Sequence, residues 1–247
     1  MDNQDTRAGI MFAMVAEGVD LNCYLVRELE TMAVIAEKLG YEDDKKEFLR
    51  HAAKLKELIN KVLWDEKDGF YYDRYERKGK LIKVKSASGL LPLWAGVASE
   101  RQAKRLIEEH LLNEKEFWLK YPLSTYSKSE PDYHQQPERE GICNWRGPVW
   151  LPINYMVFHS LLRYGYRDAA RELAYKTFDM VLSEKTTREF YNAETGQGFG
   201  MNPFWGFSSL GYIMPLEFEL GYDPSDIENE NIMPIVTELM GTSIAIK

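Results

Sequence analysis

The chain has 247 residues, 45% of them hydrophobic, and a net charge of −8 from 31 basic and 39 acidic side chains. That length and apolar content allow one large core, while the acidic balance, with no Lys/Arg-rich run, argues against a nucleic-acid partner and favours a neutral ligand. Two cysteines, Cys23 and Cys143, make neither a disulfide framework nor a thiolate metal site; with no leader pattern and no apolar run near the ~18 residues of a membrane span, the chain reads as cytoplasmic with no membrane partner.

In chain order the pattern is helical. Residues 20–39 carry Leu21, Leu25, Leu29, Met32, Ala36 and Leu39 at helical spacing, with Asp20 as the expected N-cap and Gly40 as the stop. A second helix over 43–63 opens on Asp43-Asp44 and presents Phe48, Ala52, Leu55, Ile59 and Val62, which makes an αα-hairpin with the first. Turn residues Asp65 to Gly69 precede an expected β-hairpin, 70–75 against 80–84, about Lys78-Gly79. Helices follow over 88–97 and 99–112, the latter capped by Ser99, with His110 on a charged, solvated face as is His51 on its own helix. From Asn113 to Cys143 periodicity stops, and the segment is too long for a plain connector, so it reads as a functional loop. Helices over 149–164 and 167–183 form another hairpin about Gly165, with His159 expected as a satisfied core histidine. The last strong helix is 205–219, and the tail from 222 to 247 is expected to pack on the same domain.

Two stretches stand apart from this pattern. Asn144-Trp145-Arg146-Gly147-Pro148-Val149-Trp150 crowds two indoles and a guanidinium around a Gly-Pro turn, just before the helix carrying Asn154 and Tyr155. A flat apolar face beside a fork of donors suits a sugar ring and its hydroxyls; aromatic packing is the plainer reading, and Trp150 reads equally as core. Arg188-Glu189-Phe190-Tyr191-Asn192-Ala193-Glu194-Thr195-Gly196 sets a carboxylate beside two rings that would desolvate it, then turns through glycines to Asn202-Pro203-Phe204-Trp205-Gly206-Phe207-Ser208-Ser209. The glycines between 196 and 200 follow no strand–helix phosphate pattern, and no HExxH, Walker loop or GxGxxG occurs, so no cofactor and no metal are expected.

Taken together, Trp-Arg-Gly-Pro-Val-Trp, Glu-x-Tyr-Asn-x-x-Thr-Gly and Phe-Trp-Gly-x-Ser resemble glycoside hydrolase family 63, from the first residues to about Gly221. The family includes processing α-glucosidase I and α-glycosidases of small glucosides or mannosylglycerate. Its all-α fold is an (α/α)6 barrel. About seven helices in this chain fall short of the six pairs that close such a barrel, so the resemblance implies a single domain over 1–247 forming the later part of one. Self-association, or contact with the N-terminal part of a barrel, then becomes the expected protein partner. Met1-Asp2-Asn3-Gln4-Asp5-Thr6-Arg7 is similar to the family's acid segment, although Asp5-Thr6 stands where Pro is usual.

Glycoside cleavage needs one carboxylic acid at the leaving oxygen and one carboxylate across the ring. By resemblance Asp2 is the general acid and Glu189 the general base, with Glu17 and Asp20 in reserve. Trp145, Arg146, Asn154, Tyr191 and Trp205 are the expected sugar contacts. The implied activity is inverting hydrolysis of a small or terminal α-glucoside or α-mannoside. The alternatives are a barrel piece that binds carbohydrate without turnover and a trehalase, which shares the barrel and the two carboxylates but is disfavoured by the Trp-Arg-Gly-Pro-Val-Trp motif.

Overall fold

The computed structural model describes residues 16–136 and 145–221; Asp2, Cys143 and the 222–247 tail lie outside these. Among the described residues seven helices follow one another. They are α1 (Val19–Lys38), α2 (Glu42–Val62), α3 (a 3-10 turn Ala87–Leu90 running into Leu91–Trp94), α4 (Glu100–Arg105, continued by a π turn Leu106–Leu111), α5 (Leu151–Arg163), α6 (Arg167–Leu182) and α7 (a 3-10 turn Phe207–Ser209 running into Leu210–Leu220).

Composition sorts these helices into two layers. In α3 and α5 the core positions Leu90, Leu91, Leu93, Ile153, Val157, Phe158 and Leu161 are buried, which suits helices covered on most sides. By contrast α2 is rich in Lys and Glu and buries fully only Ala52 and Ile59, so it can face water on its other sides. Accordingly α1, α3, α5 and α7 pack in succession as an inner row, α2 lies outside α1, and α6 lies outside α5 and α7. The outer α4 inserts Leu106, Ile107 and Leu111 into the same core and is tied to Tyr166, at the start of α6, by Glu108 (2.9 Å). This is an arc of the (α/α)6-barrel type. Each buried Leu or Phe side chain contributes about 1.5–3 kcal/mol, so the row is held chiefly through α3 and α5.

Several local expectations change. The α1 N-cap is Gly18, not Asp20; Asp20 falls in the first turn, buried, where its carboxylate faces the positive helix end and accepts Leu21 N–H (2.9 Å). Ser99 and Gln102 do form a capping box. The expected 70–75/80–84 hairpin is divided: β2 (Trp64–Asp65) pairs with β3 (Phe70–Tyr71), while β4 (Arg74–Tyr75) pairs with β1 (Ala16–Glu17). The tip of the expected hairpin does form about Lys78-Gly79: Arg74 bridges Leu81, Tyr75 N–H donates to Lys80 O (2.9 Å) and Ile82 N–H to Asp73 O (2.7 Å). Phe70, Tyr71, Tyr72 and Asp73 are all buried, and four successive buried residues cannot lie on a surface ribbon with one wet face. His110 is a further correction: it is buried, with Nδ1 2.8 Å from Glu116 and Nε2 2.8 Å from Asp68 O. The π turn winds more residues into each turn than an α-helix does and so rotates the end of α4 inward. His51 is exposed and His159 buried, 3.0 Å from Glu217.

Short links over 39–41, 95–99 and 164–166 join each inner helix to the outer helix after it. The long connections, 63–86, 112–150 and 183–206, return to the start of the next inner helix. Long loops therefore gather at the N-terminal ends of the inner row, and they are hydrogen-bonded to one another there. Glu17 meets Arg74, Ala87 N–H donates to Thr125 O (2.9 Å), Tyr121 N–H to Ala193 O (2.9 Å), and Val149 pairs with Tyr191. No helix among the described residues is long and apolar enough to cross a membrane.

Candidate active site

The two unusual sequence stretches are neighbours in space, and backbone pairing makes them so. Val149 N–H donates to Tyr191 O (2.7 Å) and Tyr191 N–H returns to Val149 O (3.0 Å), which joins the Trp-Arg-Gly-Pro-Val-Trp segment to the Glu-Phe-Tyr segment. The latter forms β5 (Phe190–Tyr191) against β6 (Gly198–Phe199), closed by Asn192, whose Oδ1 accepts the N–H groups of Glu194 (2.8 Å) and Thr195 (3.0 Å). The 112–136 loop buttresses the first segment from behind. Ser124 Oγ donates to Gly147 O (2.8 Å), Thr125 Oγ1 to Pro148 O (2.8 Å), and His134 N–H to Arg146 O (3.0 Å). Gly147 is obligatory in this arrangement, because a Cβ there would lie 2.2 Å from His134 O.

The rings stack in register. Trp145 lies on Trp150 with centroids 4.1 Å apart and planes 11° from parallel, and Trp150 lies on Phe190 at 5.0 Å and 12°. Trp150 thus has both faces covered and is core, whereas Trp145 is half-buried. Arg146 beside it is half-buried as well. Trp205 is 88% exposed and makes no ring contact among the described residues.

Glu189 begins this β5 segment and is half-exposed. Its N–H donates to Phe199 O (3.1 Å), the register partner of Phe190, so the chain bends at the edge of the β5–β6 pair, and its Oε2 accepts Met201 N–H (3.1 Å). Asp2 lies outside the described residues. Of the reserve acids, Glu17 is engaged by Arg74 through two bonds (2.6 and 3.2 Å). Asp20 is buried near Cys23, whose thiol is pushed well up by its burial and then by the charges of Asp20 and Asp73.

Two expected sugar contacts face inward instead. Asn154 is 0% exposed; its Oδ1 accepts Leu123 N–H (3.1 Å) and its Nδ2 donates to Pro122 O and Thr177 Oγ1 (both 2.9 Å). Tyr191 is equally buried, its hydroxyl accepting Arg188 N–H (2.9 Å), and burial pushes its phenol above the ordinary range. Neither side chain has surface to offer a ligand. Both hold the frame: Asn154 pins the 112–136 loop to α5 and α6, and Tyr191 braces the turn before Glu189. The buttressing residues Ser124, Thr125 and Gln135, whose Oε1 accepts Ala193 N–H (2.7 Å), have no sequence signal, since hydroxyls and amides in an aperiodic loop look like any turn.

Residues 2–208 match the family model described as "Mannosylglycerate hydrolase MGH1-like glycoside hydrolase domain". A mannosylglycerate hydrolase of Thermus thermophilus is 32% identical over 182 residues, 72% of this chain and 39% of that protein. A cytosolic neutral trehalase of Kluyveromyces lactis is 37% identical over 122 residues, 49% of this chain and 16% of that protein. The crystal structure of a GH63 mannosylglycerate hydrolase from Thermus thermophilus in complex with glucose superposes with a TM-score of 0.69 at 28% identity, over 81% of this chain and 48% of that one. The chain spans less than half the length of these relatives. With the family model covering residues 2–208 and the two motifs joined in one frame, the chain belongs to the MGH1-like glycoside hydrolase domains of glycoside hydrolase family 63.

Proposed function

We propose that the chain is an inverting α-glycosidase acting on a small or terminal α-mannoside or α-glucoside, with Asp2 as its general acid and Glu189 as its general base. The observation that supports it best is Glu189: a half-exposed carboxylate with one oxygen held by backbone, next to a strand paired to the segment that carries the Trp145 ring. In this reading the sugar lies against Trp145, within reach of Arg146, and the exposed Trp205 closes over it as a second flat surface. Asp2 protonates the glycosidic oxygen as its bond to the anomeric carbon breaks. Glu189 takes a proton from a water whose oxygen bonds to that carbon from the opposite side, and the product has inverted configuration. The two carboxyl groups must then stand roughly 6.5–9.5 Å apart to admit the water. The relatives' names, mannosylglycerate hydrolase and trehalase, support a short α-linked substrate.

The test is turnover of mannosylglycerate and aryl α-glycosides followed by proton NMR of the first-formed sugar. The inverted anomer is expected from the wild type. Glu189→Gln should keep sugar binding and lose turnover, because an amide preserves shape but takes no proton. A retained anomer overturns the inverting assignment, and sugar binding by the wild type with no turnover makes the chain a carbohydrate-binding piece instead.

A further inference from the structure

The residues around Glu189 specify more than the presence of a carboxylate. Beyond β6 the chain turns at Gly200, whose φ of +73° lies in the left-handed region that favours glycine. This turn directs the next amide, Met201 N–H, back at Glu189 Oε2 (3.1 Å). It also brings the Gly200 backbone hard against the carboxylate: a Cβ on Gly200 would lie 2.5 Å from Oε2 and 2.7 Å from the Glu189 Cβ. On the other side, Glu189 N–H is fixed to Phe199 O (3.1 Å). Among the described residues Glu189 Oε1 accepts no hydrogen bond.

We infer that Gly200 and the Met201 amide are positioning groups, a backbone cradle that locks the Glu189 side chain in one orientation and leaves Oε1 as the oxygen that receives the proton. This rests on the reading of Glu189 as the general base. The physical case is that a half-exposed glutamate has several rotamers of similar energy, whereas a base must keep its oxygen within hydrogen-bond reach of one water. A charge-assisted bond from a backbone N–H removes that freedom more rigidly than a side-chain donor could, because the donor follows directly on a paired strand. Only glycine permits it: any Cβ at 200 occupies the space of the carboxylate, independently of the strain it would place on the turn. With Oε2 both bonded and covered, the accepted proton goes to Oε1, and the two oxygens have different tasks.

Two measurements on the full chain test this. The first needs no turnover. In the wild type the Met201 amide proton should shift with pH in step with the Glu189 carboxyl carbon, and Glu189→Gln should abolish that dependence; a Met201 amide indifferent to both overturns the cradle. The second compares Gly200→Ala with Gly165→Ala. Gly165 has the same left-handed backbone (φ +80°) but open space around its Cβ position, so it carries the strain without the collision. Gly200→Ala should lower kcat by about 100-fold with KM little changed, as expected for a reacting group displaced by about an ångström, while Gly165→Ala keeps wild-type kcat. Equal losses in the two variants overturn the inference in favour of turn strain. Should Glu189→Gln retain turnover, the general-base reading fails, and the Met201 amide still decides whether the cradle exists.

Discussion

Trp145 and Trp205 differ in what their rings already touch, and that difference makes separate predictions. Trp205 is almost wholly in solvent, so Trp205→Ala should leave the melting temperature nearly unchanged and weaken sugar binding by about 1–3 kcal/mol. Trp145 stacks at 4.1 Å on Trp150, so Trp145→Ala should weaken binding by a similar amount and also cost about 0.5–1.5 kcal/mol of stability from the lost ring pair. Calorimetric titration and thermal melts of both variants separate the two effects; unchanged sugar affinity in either would remove that ring from the site. Asn154 belongs to the frame, and its three bonds lie in a dry interior. Asn154→Ala would leave Leu123 N–H and Pro122 O unpaired, costing on the order of 3 kcal/mol. A chain of this size should then melt about 6–12 °C lower. A melting temperature within a degree or two of wild type would show that the amide is not the pin described.

Between α4 and the long loop a polar cluster joins separate elements. Glu116 in the loop meets His110 at the end of α4 (2.8 Å) and Lys85 before α3 (2.5 Å), and Lys85 N–H donates to Glu130 (3.0 Å). Burial pushes the Glu116 carboxyl up, but hydrogen bonds and charge from His110 and Lys85 outweigh it and hold it below its ordinary 4.5. A carboxyl depressed on folding adds stability that is present above its unfolded pKa and is lost as the pH falls through the folded one. Glu130, half-buried, is pushed up by burial and contributes in the opposite sense, so the cluster is best read by difference. Glu116→Gln should therefore melt lower than wild type at neutral pH, and the gap should narrow as pH falls from about 5 to about 3. Thermal melts across that range check it; a gap that stays constant or widens would show that Glu116 is not the titrating partner.

Across the whole molecule, the inner row has two ends. On α1 and its C-cap, Leu21 is 61% and Leu39 63% exposed, with Leu25 and Ile35 also exposed; on α7, Ile213, Leu216 and Leu220 are exposed. Both are inner-row helices of a fold that would ordinarily be flanked by further pairs, and exposed apolar faces of this kind mark association surfaces. The chain on its own should self-associate at micromolar concentration or bind a hydrophobic dye. Replacing Leu21, Leu25 and Leu216 with Lys should reduce either effect without lowering the melting temperature. Sedimentation velocity decides it, and a dye-silent monomer would mean that these faces are satisfied in some other way.

Much of this architecture is local and was therefore open to reading from the chain alone. Helical spacing, the Ser99 capping box and the stops near Gly40 and Gly165 depend on residues three or four apart, so α1, α2, α5 and α6 lie within a residue or two of where periodicity puts them. The two motifs were visible as clusters of unusual residues, and their resemblance to family 63 agrees with the family model and the superposed hydrolase. Burial, however, depends on partners far along the chain. Tertiary contacts decided that Tyr191 and Asn154 turn inward, that His110 leaves the solvent, and that 70–71 pairs back on 64–65 while 74–75 pairs with 16–17 as well as bridging to Leu81. They also decided that Gly200, one of several glycines in its loop, presses its backbone against Glu189. A side chain's type sets what it can bond to, but only the packed neighbours determine which of those bonds is within reach.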